Sequence, residues 1–220
     1  MSEIKLPHAS GNSMSIAAPA TNPASNLSLQ LPSTVGTGKI NHGNVLEQFF
    51  TSCDGSAITV PSGTYTVGNI TATQALTDTH AEVNGSSIAY TPPPGTTQVI
   101  YEFHFIGGED NTSNRFLMHY KMQIDSTDIA NSRTSVYMEA NDYTENIDFK
   151  YAINIGGSTS ATTGRQATWT SAKTLRLMAR EFHATNYASR LFELDYWDGS
   201  SAQAICIPPR IGITAIGTPT

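Results

Sequence analysis

The sequence is poor in charged residues. Asp, Glu, Lys and Arg make up 14% of its 220 residues, whereas soluble globular chains usually contain roughly 25%. The formal net charge is −6, so the protein is acidic overall and not basic. The arginines in the C-terminal half are interleaved with acidic residues along the chain; they include Arg165, Arg176, Arg180 and Arg190. This pattern disfavours a nucleic acid as the partner.

Long hydrophobic runs and a secretory leader are also missing. No apolar run approaches the roughly 20 residues that a membrane-spanning helix requires, so we expect no insertion into a membrane. Residues 1–20 contain one lysine and no apolar core segment, so the sequence predicts no secretory signal. A wholly unfolded chain is not expected, because 9% of the residues are aromatic and disordered chains usually have few aromatics and much charge.

Cysteine is scarce, which limits disulfide and metal chemistry. Only Cys53 and Cys206 are present. Without a secretory signal we expect free, partly buried thiols, with a single disulfide bridge as the alternative. No Cys-x-x-Cys pair and no Cys/His cluster has the spacing of a zinc site. The sequence therefore predicts no metal ion and no cofactor.

The residues that are abundant favour β-strands. Ser and Thr together make up about a quarter of the chain, and apolar residues recur at every second position in several segments. In 98–105 they are Val99, Tyr101, Phe103 and Phe105. The segments 116–124 and 147–155 repeat this alternation, and no segment has a sustained helical period. About eight such strands after residue 84 predict an all-β fold, an antiparallel sandwich with an aromatic interior.

Composition divides the chain into three predicted parts. Residues 1–39 are nearly uncharged and rich in proline, which predicts an extended arm that becomes ordered only against a partner, or alternatively a mobile tail. Residues 40–83 have a strand-and-turn pattern and are predicted to form a small β-rich neck. Residues 84–220 are predicted to form the sandwich domain, or head. Of the 12 lysines and arginines, only Lys5 and Lys39 precede Gly95, which suggests that the arm and neck face protein partners.

The last predicted strand, 211–216, is apolar or small at almost every position. A strand of this composition is normally covered on both faces, and at an exposed edge it would promote aggregation. We therefore expect it either in the sandwich interior or at a contact between subunits.

Catalytic motifs are absent from the sequence. It contains no nucleophile elbow, no phosphate-binding loop and no zinc-protease motif. His104, His119 and His183 fall on the polar faces of predicted strands. A metal site of the cupin type is disfavoured because the H-x-H pattern followed by Glu is absent, although an axial site in a trimer stays open.

Paired carboxylates are the remaining catalytic candidates. Glu193 and Asp195 share a face of a predicted strand, and Glu109 and Asp110 lie in a predicted glycine-flanked loop. General acid catalysis requires a carboxyl group with a raised pKa in a pocket, and outward acidic residues on strands are common. The sequence therefore predicts no catalytic residues and a protein that is not an enzyme.

Several runs of residues carry a family resemblance. They are AYTPPPGTTQVIYEFHF (89–105), DFKYAINIGG (148–157), GRQATWTSAKTLRLMARE (164–181), DYWDG (195–199) and PRIGITAIGT (209–218). These runs resemble the heads of virion structural proteins of tailed phages that infect marine bacteria, notably cyanophages. The upstream run VLEQFFTSCDGSAITVPSGTYTV (45–67) is similar to the segment that precedes such heads. The resemblance covers most of residues 45–218.

The resemblance implies a fold and a function. Such proteins are fibre, spike or head-decoration components, and their heads look like trimeric jelly rolls of the tumour-necrosis-factor type. We therefore expect a homotrimeric virion protein, made in the cytoplasm of a bacterial host, that binds other tail or capsid proteins through residues 1–39. Its head would contact the host surface, with the loops 107–114 and 157–164 as candidates for binding glycans. The alternatives are a capsid or tail cement protein with no receptor role, and a carbohydrate-binding module.

Overall fold

A computed structural model of the chain describes residues 3–7, 13–17, 44–109, 115–139, 144–183, 186–198 and 201–218. Regular structure in these residues is β, apart from one 3-10 turn at Ala130–Ser132. The chain divides into two units, Met1–Ile40 and Asn41–Thr220. In the part of the chain that the structure describes, no helix has the length and apolar character needed to cross a membrane.

The N-terminal unit contains a hairpin. Strand β1 (Glu3–Pro7) pairs antiparallel with strand β2 (Ser13–Ala17), with Ile4 opposite Ile16. The alternation of Met14 and Ile16 with serine therefore does form a strand. Within these residues the chain folds back on itself, whereas the sequence predicted an extended arm. The second alternating segment of the predicted arm, 27–31, lies outside the described residues.

The second unit contains the remaining strands. They are β3 (Asn44–Ser52), β4 (Ala57–Val60), β5 (Gly63–Thr66), β6 (Gln74–Ala75), β7 (Ala81–Glu82), β8 (Ile88–Tyr90), β9 (Thr96–Glu109), β10 (Arg115–Ile124), β11 (Thr127–Asp128), β12 (Thr134–Glu139), β13 (Thr144–Asn154), β14 (Lys173–Glu181), β15 (Ser189–Leu191), β16 (Glu193–Asp198), β17 (Ser201–Cys206) and β18 (Arg210–Gly217). Their positions agree with most of the predicted strands. Strands β15 and β16 are separated by Phe192, where φ is +69°.

Two antiparallel sheets form the body of this unit. In the first sheet β18 lies between β3 and β9, and β13 pairs with the other edge of β9. Strand β15 pairs with the last three residues of β9, and β6 pairs with β15. In the second sheet β10 pairs with β14; β11 and β12 flank β10, while β7 and β8 flank β14. The pairs β4–β5 and β16–β17 form separate hairpins.

Aromatic and aliphatic side chains fill the space between the two sheets. The ring of Tyr120 in the second sheet lies 6.3 Å from that of Phe105 and 5.9 Å from that of Phe149 in the first sheet. Apolar residues at alternate positions of β9, β10 and β14 are buried, and their neighbours face outward. This arrangement confirms the predicted all-β antiparallel sandwich with an aromatic interior.

The last strand is buried inside its own chain. On the core side of β18, Ile211, Ile213 and Ala215 are each 0% exposed. On the other side the ring of Phe50 covers Gly212, where an added Cβ would lie 2.5 Å from a ring carbon. The sandwich interior, one of the two predicted locations, is therefore confirmed, and β18 needs no partner subunit to bury its apolar side chains.

The predicted neck joins the same sheets as the head. Strand β3 pairs with β18, β6 with β15 and β7 with β14, so three strands of residues 40–83 pair with strands of residues 84–220. Residues Asn41–Thr220 form one compact unit, and the predicted boundary at residue 83 falls inside it. Local composition did not reveal this, because strand pairing is decided by residues far away in the sequence.

Both cysteines are free thiols. Cys53 is fully buried, and its Sγ lies 3.4 Å from the carbonyl oxygen of Gly85. Burial, with a smaller contribution from the Asp54 carboxylate, raises the pKa of the Cys53 thiol to about 12. This thiol is therefore protonated at neutral pH and poorly nucleophilic.

We predict that Ile213→Ala lowers the free energy of unfolding by about 2–5 kcal/mol, the usual cost of removing a buried isoleucine side chain. Ile213 lies at the centre of the first sheet and is fully buried. Urea denaturation followed by tryptophan fluorescence measures the change. Val45→Ala in the neighbouring strand is the control, because Val45 is 57% exposed. Equal effects of the two substitutions would contradict the position given to β18.

Candidate functional site

A cleft of about 550 Å³ is formed by the loops that join strands of the two sheets. Its walls come from the β4–β5 turn, the β8–β9 connection, the residue after β13 and the segment that precedes β14. The lining residues are Pro61, Ser62, Thr91, Pro92, Pro93, Pro94, Gly95, Thr96, Ile155, Ala167, Thr168, Trp169 and Thr170. Proline and threonine thus dominate its surface, and Trp169 is the aromatic residue among those that line it.

The β8–β9 connection gives the cleft a rigid wall. Three consecutive prolines, Pro92–Pro94, restrict the backbone because each ring fixes φ. Gly95 then turns the chain with φ of +85°, a conformation that favours glycine. The backbone N–H of Thr96 donates to the Pro93 carbonyl oxygen at 3.3 Å, and its hydroxyl donates to the same atom at 2.6 Å. The wall is therefore fixed by its own sequence.

A buried carboxylate lies behind this cleft. Glu47 of β3 is 4% exposed. Its carboxylate accepts hydrogen bonds from the Ser62 N–H at 2.8 Å, the Ser62 hydroxyl at 2.6 Å and the Tyr90 hydroxyl at 2.8 Å. A buried carboxylate is costly unless it is hydrogen-bonded, and these three donors compensate for that cost. Because Ser62 also lines the cleft, the buried network reaches the cleft wall.

Aromatic side chains extend the network. The Tyr65 hydroxyl donates to the Thr91 carbonyl oxygen at 2.9 Å, and the Trp169 indole N–H donates to the Tyr90 carbonyl oxygen at 3.0 Å. Burial, followed by the hydrogen bond to the Glu47 carboxylate, raises the pKa of the Tyr90 hydroxyl far above its ordinary value. Tyr90 thus stays protonated and donates to Glu47. The network holds Ser62, Thr91 and Trp169 in fixed positions around the cleft.

Sequence reasoning missed this network. The sequence shows only a strand-and-turn pattern in residues 40–83, in which Glu47 does not stand out. The signal that could have identified it is its position two residues before Phe49, on the same side of a strand. A glutamate carboxylate on the core-facing side of a strand must accept hydrogen bonds from neighbouring groups to offset the cost of its burial. The groups that donate these hydrogen bonds belong to residues far from Glu47 in the sequence.

The three predicted histidines do not form one site. His104 lies on the outward face of β9, in the first sheet, and is hydrogen-bonded to Asp148. His119 lies on β10, in the second sheet, and its Nδ1 is 2.7 Å from the Ser135 hydroxyl oxygen. His183 follows β14, which ends at Glu181, so the predicted strand position of His183 was wrong. Within the described residues no group of three or more His, Cys, Asp or Glu side chains is arranged to hold a metal ion.

The candidate acid pairs are only partly described. The carboxylate oxygens of Glu193 lie 2.8 and 2.9 Å from Nη1 of Arg190, so this carboxylate is held in an ion pair. The side chain of Asp195 and all of Asp110 lie outside the described residues. Glu109 ends strand β9 and is 9% exposed. The loop predicted at 107–114 thus begins later than expected, because β13 and β15 pair with the end of β9.

The loop 157–164 is attached to the 3-10 turn. The backbone N–H of Ala130 donates to the Ala161 carbonyl oxygen at 3.1 Å, and that of Asn131 donates to the Thr162 carbonyl oxygen at 2.9 Å. Its residues are mostly exposed. This predicted glycan-binding loop is therefore accessible and held to the body of the unit.

Comparisons with known proteins return little similarity. No protein-family model and no curated protein matches the chain. One similar solved chain comes from the "Structure of a marine algae virus of the order Picornavirales". It is 14% identical, the match covers 98% of this chain and 90% of that one, and the TM-score is 0.25. A TM-score this low supports no conclusion about fold or function.

We predict that Glu47→Ala lowers the free energy of unfolding by about 3 kcal/mol, because the donors Ser62, partly buried, and Tyr90, fully buried, lose a charged acceptor. Urea denaturation at neutral pH measures the loss. Glu145→Ala is the control, since Glu145 is exposed and surface substitutions usually change stability by less than about 0.5 kcal/mol. A loss no larger than that of the control would show that the network does not stabilise the fold.

Proposed function

We propose that this chain is a structural protein of a tailed-phage virion, a component of a fibre, spike or particle surface. Residues 1–39 attach it to other virion proteins, and the β-sandwich is displayed as a trimeric jelly-roll head that contacts the host. The support comes from the resemblance of several runs of this sequence to heads of that class. The fold is compatible with the proposal, because residues Asn41–Thr220 form one compact all-β unit.

One observation carries the proposal. All residues that line the cleft belong to the runs that carry the resemblance: Pro61 and Ser62 to 45–67, Thr91–Thr96 to 89–105, Ile155 to 148–157, and Ala167–Thr170 to 164–181. The same runs include the central strands β14 and β18 and most of β9. The resemblance therefore involves the core of the sandwich and a specific surface feature built on it, which is what a shared head domain requires.

The proposed trimer needs a contact surface other than β18. The outward face of the first sheet is the candidate, because Phe50 is 50% exposed there and its ring lies 5.1 Å from that of His104. A cavity of about 400 Å³ adjoins both residues and also contacts Ile207, Pro208 and Arg210. A second copy of the chain would remove this exposed aromatic side chain from water, which favours association.

We predict that the full chain at micromolar concentration has three times the mass of one 23.6 kDa chain in size-exclusion chromatography with light scattering. Phe50→Asp should shift the population towards monomers, because a carboxylate would be buried in the contact. Tyr196→Asp is the matched control at another exposed aromatic position, 54% exposed, and should leave the mass unchanged. A monomer for the unaltered chain would overturn the trimer.

We also propose that the protein is not an enzyme, since its candidate acid Glu193 is engaged by Arg190. A glycosidase acid must present its carboxyl group to the glycosidic oxygen, whereas both carboxylate oxygens of Glu193 are held against Nη1 of Arg190, at 2.8 and 2.9 Å. Incubation with acidic and neutral polysaccharides should release no reducing ends. Hydrolysis that decreases in Glu193→Gln would contradict this proposal and indicate a depolymerase.

A further inference from the structure

The outward face of the second sheet aligns polar side chains from adjacent strands. Ser135 of β12 lies opposite His119 of β10, and His119 lies opposite Arg180 of β14. His80 precedes β7, which pairs with β14 at Ala179. The residues that alternate with this row are buried in the core, so the row itself faces outward.

This row lines a pocket of about 320 Å³ that is rich in basic groups. The lining residues are His80, His119, Tyr120, Lys121, Arg133, Thr134, Ser135 and Arg180. None of these described lining residues is acidic, although the chain as a whole carries a net charge of −6. We refer to this cavity as the basic pocket.

The guanidinium groups of the basic pocket are available for a ligand. Lys121 is paired with Asp128 at 2.5 Å. Within the described residues, Arg133 and Arg180 have no carboxylate partner, and Arg180 donates only to the backbone oxygen of Asp78, at 3.3 Å. By contrast Arg176, on the same face of β14, is paired with Glu82 at 3.2 Å. A guanidinium without a carboxylate partner offers several donors that match carboxylate, sulfate or phosphate.

Burial and, secondarily, the positive charge of the pocket lower the pKa values of its two histidines. Burial, together with Lys121 and Arg180, lowers the pKa of His80 and outweighs the opposing effect of Asp128. Burial and then Arg180 lower the pKa of His119. The Nε2 atom of His119 is buried without a hydrogen-bond partner in the described structure. An anion in the pocket would offset the positive field and favour protonation of both rings.

Three aromatic side chains lie beside the pocket, and we refer to them as the aromatic ledge: Tyr137, Phe182 and Tyr187. Phe182, 50% exposed, lies edge-on to His119 with 6.1 Å between ring centroids. Tyr187 is 5.5 Å from Phe182 and 6.3 Å from Tyr137, which is 49% exposed. Phe182 and Tyr137 are exposed and the half-buried Tyr187 connects them, and a contiguous apolar patch on the surface commonly marks a binding site.

We propose that the basic pocket and the aromatic ledge together bind an anionic saccharide. The acidic group of the sugar enters the basic pocket, where Arg133 and Arg180 bind it. A sugar ring packs its C–H groups on the electron-rich faces of the ledge. In the proposed function the protein contacts a host surface, and this site identifies the class of ligand that it binds there. The inference rests on the proposed function only for the biological source of the saccharide.

The combination of the two features excludes simpler occupants. A neutral glycan would use the ledge but leave Arg133 and Arg180 without a counter-charge. A free inorganic anion would use the pocket but not the ledge. A nucleic acid would require a longer basic stripe than one pocket on an acidic chain. An acidic saccharide is the ligand class that uses both.

Isothermal titration of the full chain with oligosaccharides of matched length tests the proposal. The probes are oligogalacturonate for carboxylate, chondroitin sulfate oligosaccharides for sulfate ester, a neutral dextran oligosaccharide, and inorganic phosphate alone. At least one acidic saccharide should bind ten-fold or more tightly than the dextran, and inorganic phosphate should bind more weakly than that saccharide. The tighter of the two acidic probes identifies the acidic group. Absence of binding by both would overturn the site.

Variants separate the contributions of the pocket and the ledge. Arg180→Gln should weaken binding of the acidic saccharide at least ten-fold, whereas Arg176→Gln on the same strand face should not. Phe182→Ser should weaken saccharide binding and leave phosphate binding unchanged. Circular dichroism and thermal unfolding confirm that each variant is folded. Equal losses in Arg180→Gln and Arg176→Gln would indicate nonspecific charge attraction, and equally tight binding of polyglutamate would contradict selectivity for saccharides.

Binding should also be linked to protons. His80 and His119 are mostly neutral in the free protein near pH 7, and a bound anion raises the pKa of both. The affinity for the sulfated probe, whose own charge is constant in this range, should therefore rise as the pH falls from 7.5 to 5.5. The variant His119→Gln should reduce this pH dependence. An affinity that does not change with pH would exclude contact between the anion and the histidines.

Light scattering on the same samples distinguishes failure of the site from failure of the proposed function. A trimer that binds no acidic saccharide retains the virion role as a cement protein and overturns the site. A monomer that binds the acidic saccharide retains the site and overturns the trimeric assembly.

Discussion

The pairing of β18 between β3 and β9 is the interaction on which the rest of the structure depends. Through its backbone hydrogen bonds, β18 joins β3, the first strand of the second unit, to β9. Its core-facing side chains are fully buried, and outward Gly212 and Thr214 are small and buried, so the strand fits inside a sheet. Because of this pairing, residues 44–83 belong to the same unit as the sandwich.

The cleft is a consequence of this pairing. The register places Glu47 opposite Ala215 on the core side, from where its carboxylate reaches Ser62 and Tyr90. Further along, β18 passes so close to the β8–β9 connection that a Cβ at Gly217 would lie 2.1 Å from the Gly95 carbonyl oxygen. The same strand thus fixes both the buried acid network and the proline-rich wall in front of it.

Both sheets carry ion pairs on their outward faces. On the first sheet His104 pairs with Asp148 and Lys150 with Glu102, and on the second sheet Lys121 pairs with Asp128 and Arg176 with Glu82. In the basic pocket, Arg133 and Arg180 have no acidic partner among the described residues, and the exposed ring of Phe182 lies beside His119 of the same pocket. Along the sequence the basic residues looked dispersed among acidic ones. Strand pairing brings them together, so a net acidic chain still presents a pocket suited to an anionic ligand.

The sequence by itself determined the class of the fold and the faces of its strands. In 98–105, 116–124 and 147–155 the alternation predicted which side chains are buried, because successive side chains of a strand point to opposite faces whatever the strand pairs with. The composition of 211–216 likewise required cover on both faces. Only the tertiary structure decided which strands pair, that residues 40–83 join the head, that Glu47 meets Ser62 and Tyr90, and that His80, His119 and Arg180 share a pocket. These features depend on hydrogen bonds between segments far apart in the chain, which local periodicity does not encode.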